Sequence, residues 1–218
     1  MRTERRRMMA AGDLLPAWYQ RLEYIQNTST AYIDTGVQPN YTFEYELKAN
    51  AVTGGCVVGT YFNSEGTDYR FFQVNNQFYF DVGNKRLCGI DDQSKWTYPY
   101  HVKWGNYYIE ELNVGVKITY TTFDEKMENA NISSNVYLLG GKGYVPGKVW
   151  LFKIWDNGKL IRDFVPCKRR SDNVYGMYDK VEGKFYASAS NVAFTGGVKF
   201  HTILTAFLEP AMAERRAA

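Results

Sequence analysis

Histidine is nearly absent. His101 and His201 are the only two in 218 residues, and neither stands in an HxH or HExxH spacing, which leaves almost no material for an imidazole metal centre or a Ser-His-Asp triad. Cysteine is also scarce. Cys56, Cys88 and Cys167 are odd in number and widely spaced with no CxxC pair, so buried free thiols are expected rather than a disulfide framework or a thiolate zinc site. No apolar run nears the roughly 18 residues of a membrane-spanning helix. The apolar stretch behind the basic N-terminus, Met8 to Ala11, is stopped by Gly12 and Asp13, short of the roughly 7–15 residues of a secretory signal. The expectation is a soluble chain, or part of a soluble assembly, with no signal peptide and no membrane insertion. Charge of one sign is missing as well: Arg2, Glu4, Arg5, Arg6 and Arg7 alone sum to the net +3, so the remaining chain is neutral and no global field recruits nucleic acid.

Aromatic residues are abundant, at 17% of the chain with 18 Tyr, 13 Phe and 5 Trp, and they sit among β-branched residues and 19 Gly. That mixture suits half-buried pleated surfaces joined by tight turns. Between residues 41 and 49 the alternation is clean, with Tyr41, Phe43, Tyr45, Leu47 and Ala49 on one face and Thr42, Glu44, Glu46 and Lys48 on the other. Similar short runs follow at 56–61, 69–74, 77–82, 100–104, 107–112, 116–121, 136–139, 148–155, 160–165 and 185–187, separated by Gly, Asn, Asp and Pro. Asn75-Asn76 and Asp156-Asn157-Gly158 read as hairpin tips, because these residues tolerate positive φ. Strands at this spacing without a convincing long amphipathic helix in residues 16–197 predict an all-β, two-sheet sandwich or jelly roll. The chain divides into a basic arm (1–15), one domain (16–197) and a tail (198–218). In the tail Phe200, Ile203, Leu204, Phe207 and Leu208 form a helical stripe, while Val198, Phe200, Thr202 and Leu204 would instead continue a strand; the segment reads as a helix or a docking arm.

Two stretches carry a resemblance. "LPAWYQRLEYIQNTSTAYIDTGVQPN" (residues 15–40) resembles the first strands of concanavalin A-like, LamG-type jelly rolls found in phage and prophage structural proteins and in gut-bacterial surface proteins. "VWLFKIWDNGKLIRDFVPCKRRSDNVYGMYDKVEGKFYASASNVAFTGG" (residues 149–197) is similar to the final strands of that family, with its Arg-Asp-hydrophobe-x-Pro segment and Gly-x-Tyr-Asp turn. The middle, 41–148, matches only in strand rhythm. Read physically, Asp34-Thr35-Gly36 caps a turn, Arg162-Asp163 sends alternating side chains to opposite faces of a strand, and Gly176-Met177-Tyr178-Asp179 closes a bend; all three hold the fold rather than a ligand. The resemblance implies a non-catalytic fibre, tail or capsid-decoration module on a virion, or otherwise a module of the bacterial cell surface. Its implied partners are bacterial surface polysaccharides or other glycans, further copies of itself and other virion proteins. Arg5, Arg6, Arg7, Phe200, Ile203, Leu204 and Phe207 are the candidate assembly contacts.

Chemistry beyond binding has little support. Glu44-Tyr45-Glu46 is the nearest string to the alternating three-acid strand of the laminarinase-like branch of that superfamily, and it lacks the third acid. A polysaccharide depolymerase using these two acids, and a purely structural assembly subunit, are the alternatives. No cofactor is expected. The acidic pairs Asp91-Asp92, Glu110-Glu111 and Asp124-Glu125 have no calcium-loop spacing and read as solvated turns, although LamG-like relatives hold Ca²⁺ at a loop rim. Gly140-Gly141-Lys142-Gly143 is not followed by the helix that a phosphate cradle requires. Sugar recognition needs an aromatic ring beside a few placed polar groups, and three stretches have that mixture: Tyr61 and Asn63 with Asp68, Tyr69 and Arg70; Asp91 and Asp92 with Trp96 and Tyr98; and Trp104, Asn106, Tyr107 and Tyr108.

Overall fold

The computed structural model describes residues 15–51, 56–60, 69–74, 77–82, 85–88, 99–119, 134–140 and 146–198. Both terminal arms, with their candidate assembly residues Arg5, Arg6, Arg7, Phe200, Ile203, Leu204 and Phe207, lie outside the described residues. Among the described residues every regular element is a β-strand. The reason is visible in β4 (Phe43–Ala51), where Phe43, Tyr45, Leu47, Ala49 and Ala51 are buried while Glu44, Glu46 and Lys48 turn the other way. The period of two lets one face enter a core and the other meet solvent.

The strands form two antiparallel sheets. The larger runs β11 (Val116–Thr119), β10 (Tyr108–Glu111), β9 (Tyr100–Gly105), β4, β13 (Gly147–Asp156), β14 (Lys159–Arg169), β15 (Tyr175–Asp179) and β16 (Lys184–Ala187). Beside that path β1 (Tyr19–Arg21) pairs with β14, β2 (Tyr24–Asn27) with β13, and β17 (Thr195–Gly197) with β2. The smaller sheet runs β3 (Ile33–Asp34), β12 (Val136–Leu138), β5 (Cys56–Thr60), β6 (Tyr69–Val74), β7 (Gln77–Val82) and β8 (Lys85–Cys88). Strands near both ends of the domain thus share the larger sheet, so the two stretches that carry the family resemblance meet in space.

The core lies between the sheets. Tyr45, Leu47, Val102, Trp104, Phe152, Ile154 and Phe164 come from the larger sheet, and Ile33, Val58, Phe71, Phe80, Val136 and Leu138 from the smaller. Trp104 joins the layers: its ring stacks on Phe71 of the smaller sheet at 4.3 Å and on Tyr45 of its own sheet at 5.2 Å. Each such side chain contributes about 1.5–3 kcal/mol through burial. Cys56 and Cys167 are buried free thiols, as the spacing implied.

The hairpin expected at Asp156-Asn157-Gly158 is present, with Asn157 at φ 48° and Gly158 at φ 75°, the two positive angles of a type I′ turn. For the other expected tip, Val74 of β6 faces Gln77 of β7, and Asn75-Asn76 themselves lie outside the described residues. The Asp34-Thr35-Gly36 turn is capped as expected: Gly36 N–H donates to Asp34 Oδ1 at 2.9 Å, and the Thr35 hydroxyl donates to the Val136 carbonyl at 2.7 Å. Two expectations need correction. Gly176 to Asp179 is a strand paired on both sides rather than a bend, and the turn follows it, where Gly183 N–H donates to the Asp179 carbonyl. Glu111 is not on a solvated turn but 1% exposed, because its carboxylate accepts from His101 N–H, the Asn113 amide and Val114 N–H and so caps the β10–β11 turn.

The motifs behind the resemblance converge on a clasp. Arg162 Nε donates to the Thr35 carbonyl at 3.2 Å, crossing from β14 to the segment after β3. Its guanidinium also lies 3.5 Å from Asp179 Oδ2 and 2.7 Å from Glu182 Oε1. Asp179 Oδ1 accepts from Asp163 N–H at 2.9 Å, and Lys180 Nζ sits 2.8 Å from Asp163 Oδ2.

Candidate functional site

Three turns meet at one end of the larger sheet and enclose a cleft of about 240 Å³. The first turn precedes β4. Pro39-Asn40 stops the chain from running straight into the strand: the Asn40 side chain accepts from Thr42 N–H at 3.4 Å and its carbonyl from Phe43 N–H at 3.1 Å. The second joins β9 to β10 through Asn106 and Tyr107. The third is the Asn157-Gly158 tip, whose Asn157 N–H donates to the Thr42 carbonyl at 3.4 Å, while Asp156 Oδ1 accepts from the Thr42 hydroxyl.

Tyr41 and Tyr107 stand on this cleft half exposed, at 50% and 54%. Behind them Tyr108 donates its hydroxyl to Glu44 Oε1 at 2.8 Å, and Lys103 Nζ lies 3.1 Å from Glu44 Oε2. Burial, and then the bond to Glu44, raise the Tyr108 phenol well above its ordinary value, so it donates as a neutral hydroxyl. Asn106 is 5% exposed and donates its amide nitrogen to the Tyr41 carbonyl, which ties the two turns together. Its Oδ1 is buried without a hydrogen-bond partner.

Of the sequence-predicted stretch at 104–108, Asn106, Tyr107 and Tyr108 line this cleft. Trp104, on the preceding strand β9, is corrected: it is fully buried and stacked between Phe71 and Tyr45, so its ring offers no face to a ligand. Tyr69 and Arg70 open β6 on the other sheet, with Arg70 opposite Gly59. Tyr61, Asn63, Asp68, Asp92 and Trp96 lie outside the described residues. Tyr41 is missing from the predicted site because alternation placed it on the apolar face of β4. The Pro39-Asn40 pair was the available signal that the strand starts two residues later.

The outer face of the larger sheet is organised differently. Lys117, Glu110, Lys103, Glu46, Lys153 and Asp163 stand directly opposite one another on six neighbouring strands, a row of alternating sign. Within it Glu46 Oε1 is 2.8 Å from His101 Nε2 and its other oxygen 3.6 Å from Lys153 Nζ. The bond from His101, with Lys153 adding to it against the opposing effect of burial, holds the Glu46 carboxyl below its ordinary value. Lys103 and Lys153 also lie over the Trp155 ring, at 4.9 and 5.8 Å. Among the described residues no group of three His, Cys, Asp or Glu side chains is placed to hold a metal ion, and no helix is long and apolar enough to cross a membrane.

Comparison with protein-family models, with curated proteins and with solved structures gave no match to this chain.

Proposed function

We propose that this protein is a non-catalytic carbohydrate-binding module of the concanavalin A-like, LamG-type jelly-roll kind. In this reading it is displayed as a homo-oligomer on a phage virion, or otherwise on a bacterial surface, and attaches to bacterial surface glycans. The observation that carries the reading is the pairing of Tyr41 and Tyr107, two half-exposed rings on a small cleft that Glu44, Asn106 and Tyr108 also line. An exposed ring gives the apolar face of a pyranose a surface to cover, and fixed polar groups then orient its hydroxyls. The virion setting is supported by the resemblance of residues 15–40 and 149–197 to phage-borne modules. Weak single-site contacts gain from repetition, which is why several copies on one particle suit adhesion.

The depolymerase alternative requires one carboxyl kept protonated near neutral pH as a general acid. Glu46 is shifted the opposite way by His101 and Lys153, and Glu44 is engaged by Tyr108 and Lys103. The test is retention on a glycan array by the intact chain and by Tyr41→Ala and Tyr107→Ala. Each variant is expected to lose about tenfold in affinity, some 1.4 kcal/mol, with its unfolding midpoint unchanged. Retention of no glycan by the folded, oligomeric protein would reduce the reading to a structural subunit. Release of reducing ends from a bacterial polysaccharide would replace it with an enzyme.

A further inference from the structure

The cleft also has a chemical bias. Resting on its reading as the glycan site, we infer that it selects saccharides without negative charge, and among these favours amine-bearing pyranoses over neutral ones, while rejecting uronic and sialic acid units.

The argument starts from what the lining offers a ligand. Tyr41, Thr42, Asn106, Tyr107, Tyr108 and Glu44 supply its side-chain polar groups, and none of them is cationic. The donors among them are largely committed inside the protein. The Thr42 hydroxyl is given to Asp156, the Tyr108 hydroxyl to Glu44, and the Asn106 amide nitrogen to the Tyr41 carbonyl. A carbonyl can only accept, so the amide nitrogen of Asn106 must face Tyr41 and its oxygen must point away. That oxygen, Asn106 Oδ1, is the one atom of the cleft's described lining residues among the buried side-chain polar atoms without a partner. A buried acceptor without a donor is unfavourable by itself and favourable to whatever brings one. Among the described residues Glu44 is the sole charged side chain of the lining, and a carboxylate has more lone-pair sites than the two contacts from Tyr108 and Lys103 use.

The cleft therefore presents acceptors and one carboxylate, whose charge Lys103 offsets in part from outside the lining. A pyranose hydroxyl or ammonium group can donate to Glu44, and to Asn106 Oδ1 where binding uncovers it. A carboxylate-bearing sugar finds no cation in the lining and stands against Glu44, and like charges brought together at a binding site discriminate strongly. The sign of this selection is opposite to that of the whole chain. Net charge +3 attracts acidic glycans weakly and without specificity, so discrimination against them has to come from the site. Size adds a limit: about 240 Å³ lies below the roughly 300–1,000 Å³ of pockets for drug-sized ligands, and a single ring is what enters.

Calorimetric titration of the intact protein at pH 6 and physiological salt tests this, using chitosan oligosaccharides, neutral gluco-oligosaccharides and oligogalacturonate as probes. The amine-bearing probe is expected to bind tightest and the acidic probe at least about tenfold more weakly than the neutral one. Glu44→Gln should level the amine and neutral probes, and Asn106→Ala should weaken both. Tyr107→Ala should weaken all binding, which assigns the signal to this cleft. Oligogalacturonate binding as tightly as the neutral probe, or binding that Tyr107→Ala leaves unchanged, overturns the selectivity while the carbohydrate-binding reading stands. Binding of none of the probes, together with an empty glycan array, overturns that reading and the selectivity with it.

Discussion

The clasp around Arg162 and the cleft around Asn106 are both polar clusters built at strand ends, and they differ in how their demands are met. In the clasp every ionised group has an opposite charge within the chain: Arg162 faces Asp179 and Glu182, and Asp163 faces Lys180. In the cleft the buried oxygen of Asn106 faces no donor, and two tyrosines stand half exposed beside it. Both clusters hold buried oxygens without a hydrogen-bond partner, Asp163 Oδ1 and Asp179 Oδ2 in the clasp and Asn106 Oδ1 in the cleft, so what sets the cleft apart is its exposed rings and the space between them. Thr35, Arg162, Asp163 and Asp179, which the sequence reading took as holding the fold rather than a ligand, fall in the clasp, so the binding reading has to rest on the cleft.

Removing one side of a closed cluster should therefore break the fold and spare the site. Arg162 is 13% exposed and Asp179 not at all. Arg162→Ala strands the Asp179 carboxylate and gives up the bond to the Thr35 carbonyl, which links the two sheets. Loss of one partner from a buried pair costs about 3–5 kcal/mol. The expected outcome in urea unfolding is a free energy of unfolding lowered by that amount, with glycan affinity per folded molecule unchanged. A small stability loss accompanied by lost binding would reverse the roles assigned to the two clusters.

The same contrast can be sharpened with one substitution made in both regions. Gly176 lies on β15, three residues before Asp179, and a Cβ there would sit 2.2 Å from the Tyr186 carbonyl oxygen of the adjacent strand. Gly105 ends β9 at the cleft, and a Cβ there meets Glu44 Cγ and Tyr108 Cε1 at 3.4 Å, ordinary contact. Gly176→Ala is expected to lose about 1–3 kcal/mol through overpacking. Gly105→Ala should keep its unfolding midpoint and lose affinity, because the added methyl group occupies lining space. Thermal denaturation and titration of the two variants side by side check both halves.

The all-β class and the strand positions were legible because alternation and turn residues are local signals. β4 shows it from Phe43 onward, and the Asn157-Gly158 tip shows it in two residues. The site was legible only in part. Tyr107 was reachable from composition, but composition cannot separate it from Trp104 three residues earlier on β9, which pleating turns inward onto Phe71. Tyr41 was hidden because the alternation begins at Tyr41 in the sequence, two residues before the strand itself. The clasp was harder to foresee, because Arg162 to Thr35 spans 127 positions and no local pattern encodes a contact made by folding the two sheets face to face. Glu111 illustrates the same limit: two adjacent acids look solvated, yet one closes a turn from inside.

The smallest expected effect concerns the charge row, which lies between the two clusters and resembles the clasp in being internally paired. Glu46 keeps its carboxyl below the ordinary 4.5, chiefly through His101. A depressed folded value means stability that is present above the unfolded value and lost as pH falls through the folded one. Glu46→Gln retains an acceptor for His101 and removes the charge, so the variant should lack this acid-range loss. At pH 7 the wild type is expected to exceed the variant by less than about 1 kcal/mol, the usual scale of a solvent-screened pair. That gap should close as pH drops below 4.5, when protonation removes the wild-type charge as well. Urea midpoints from pH 7 to pH 3 read both limits. A gap that persists at pH 3 would assign the effect to packing of the side chain rather than to its charge. The row would then belong with the apolar framework, and the contrast between internal pairing and ligand space would be confined to the clasp and the cleft.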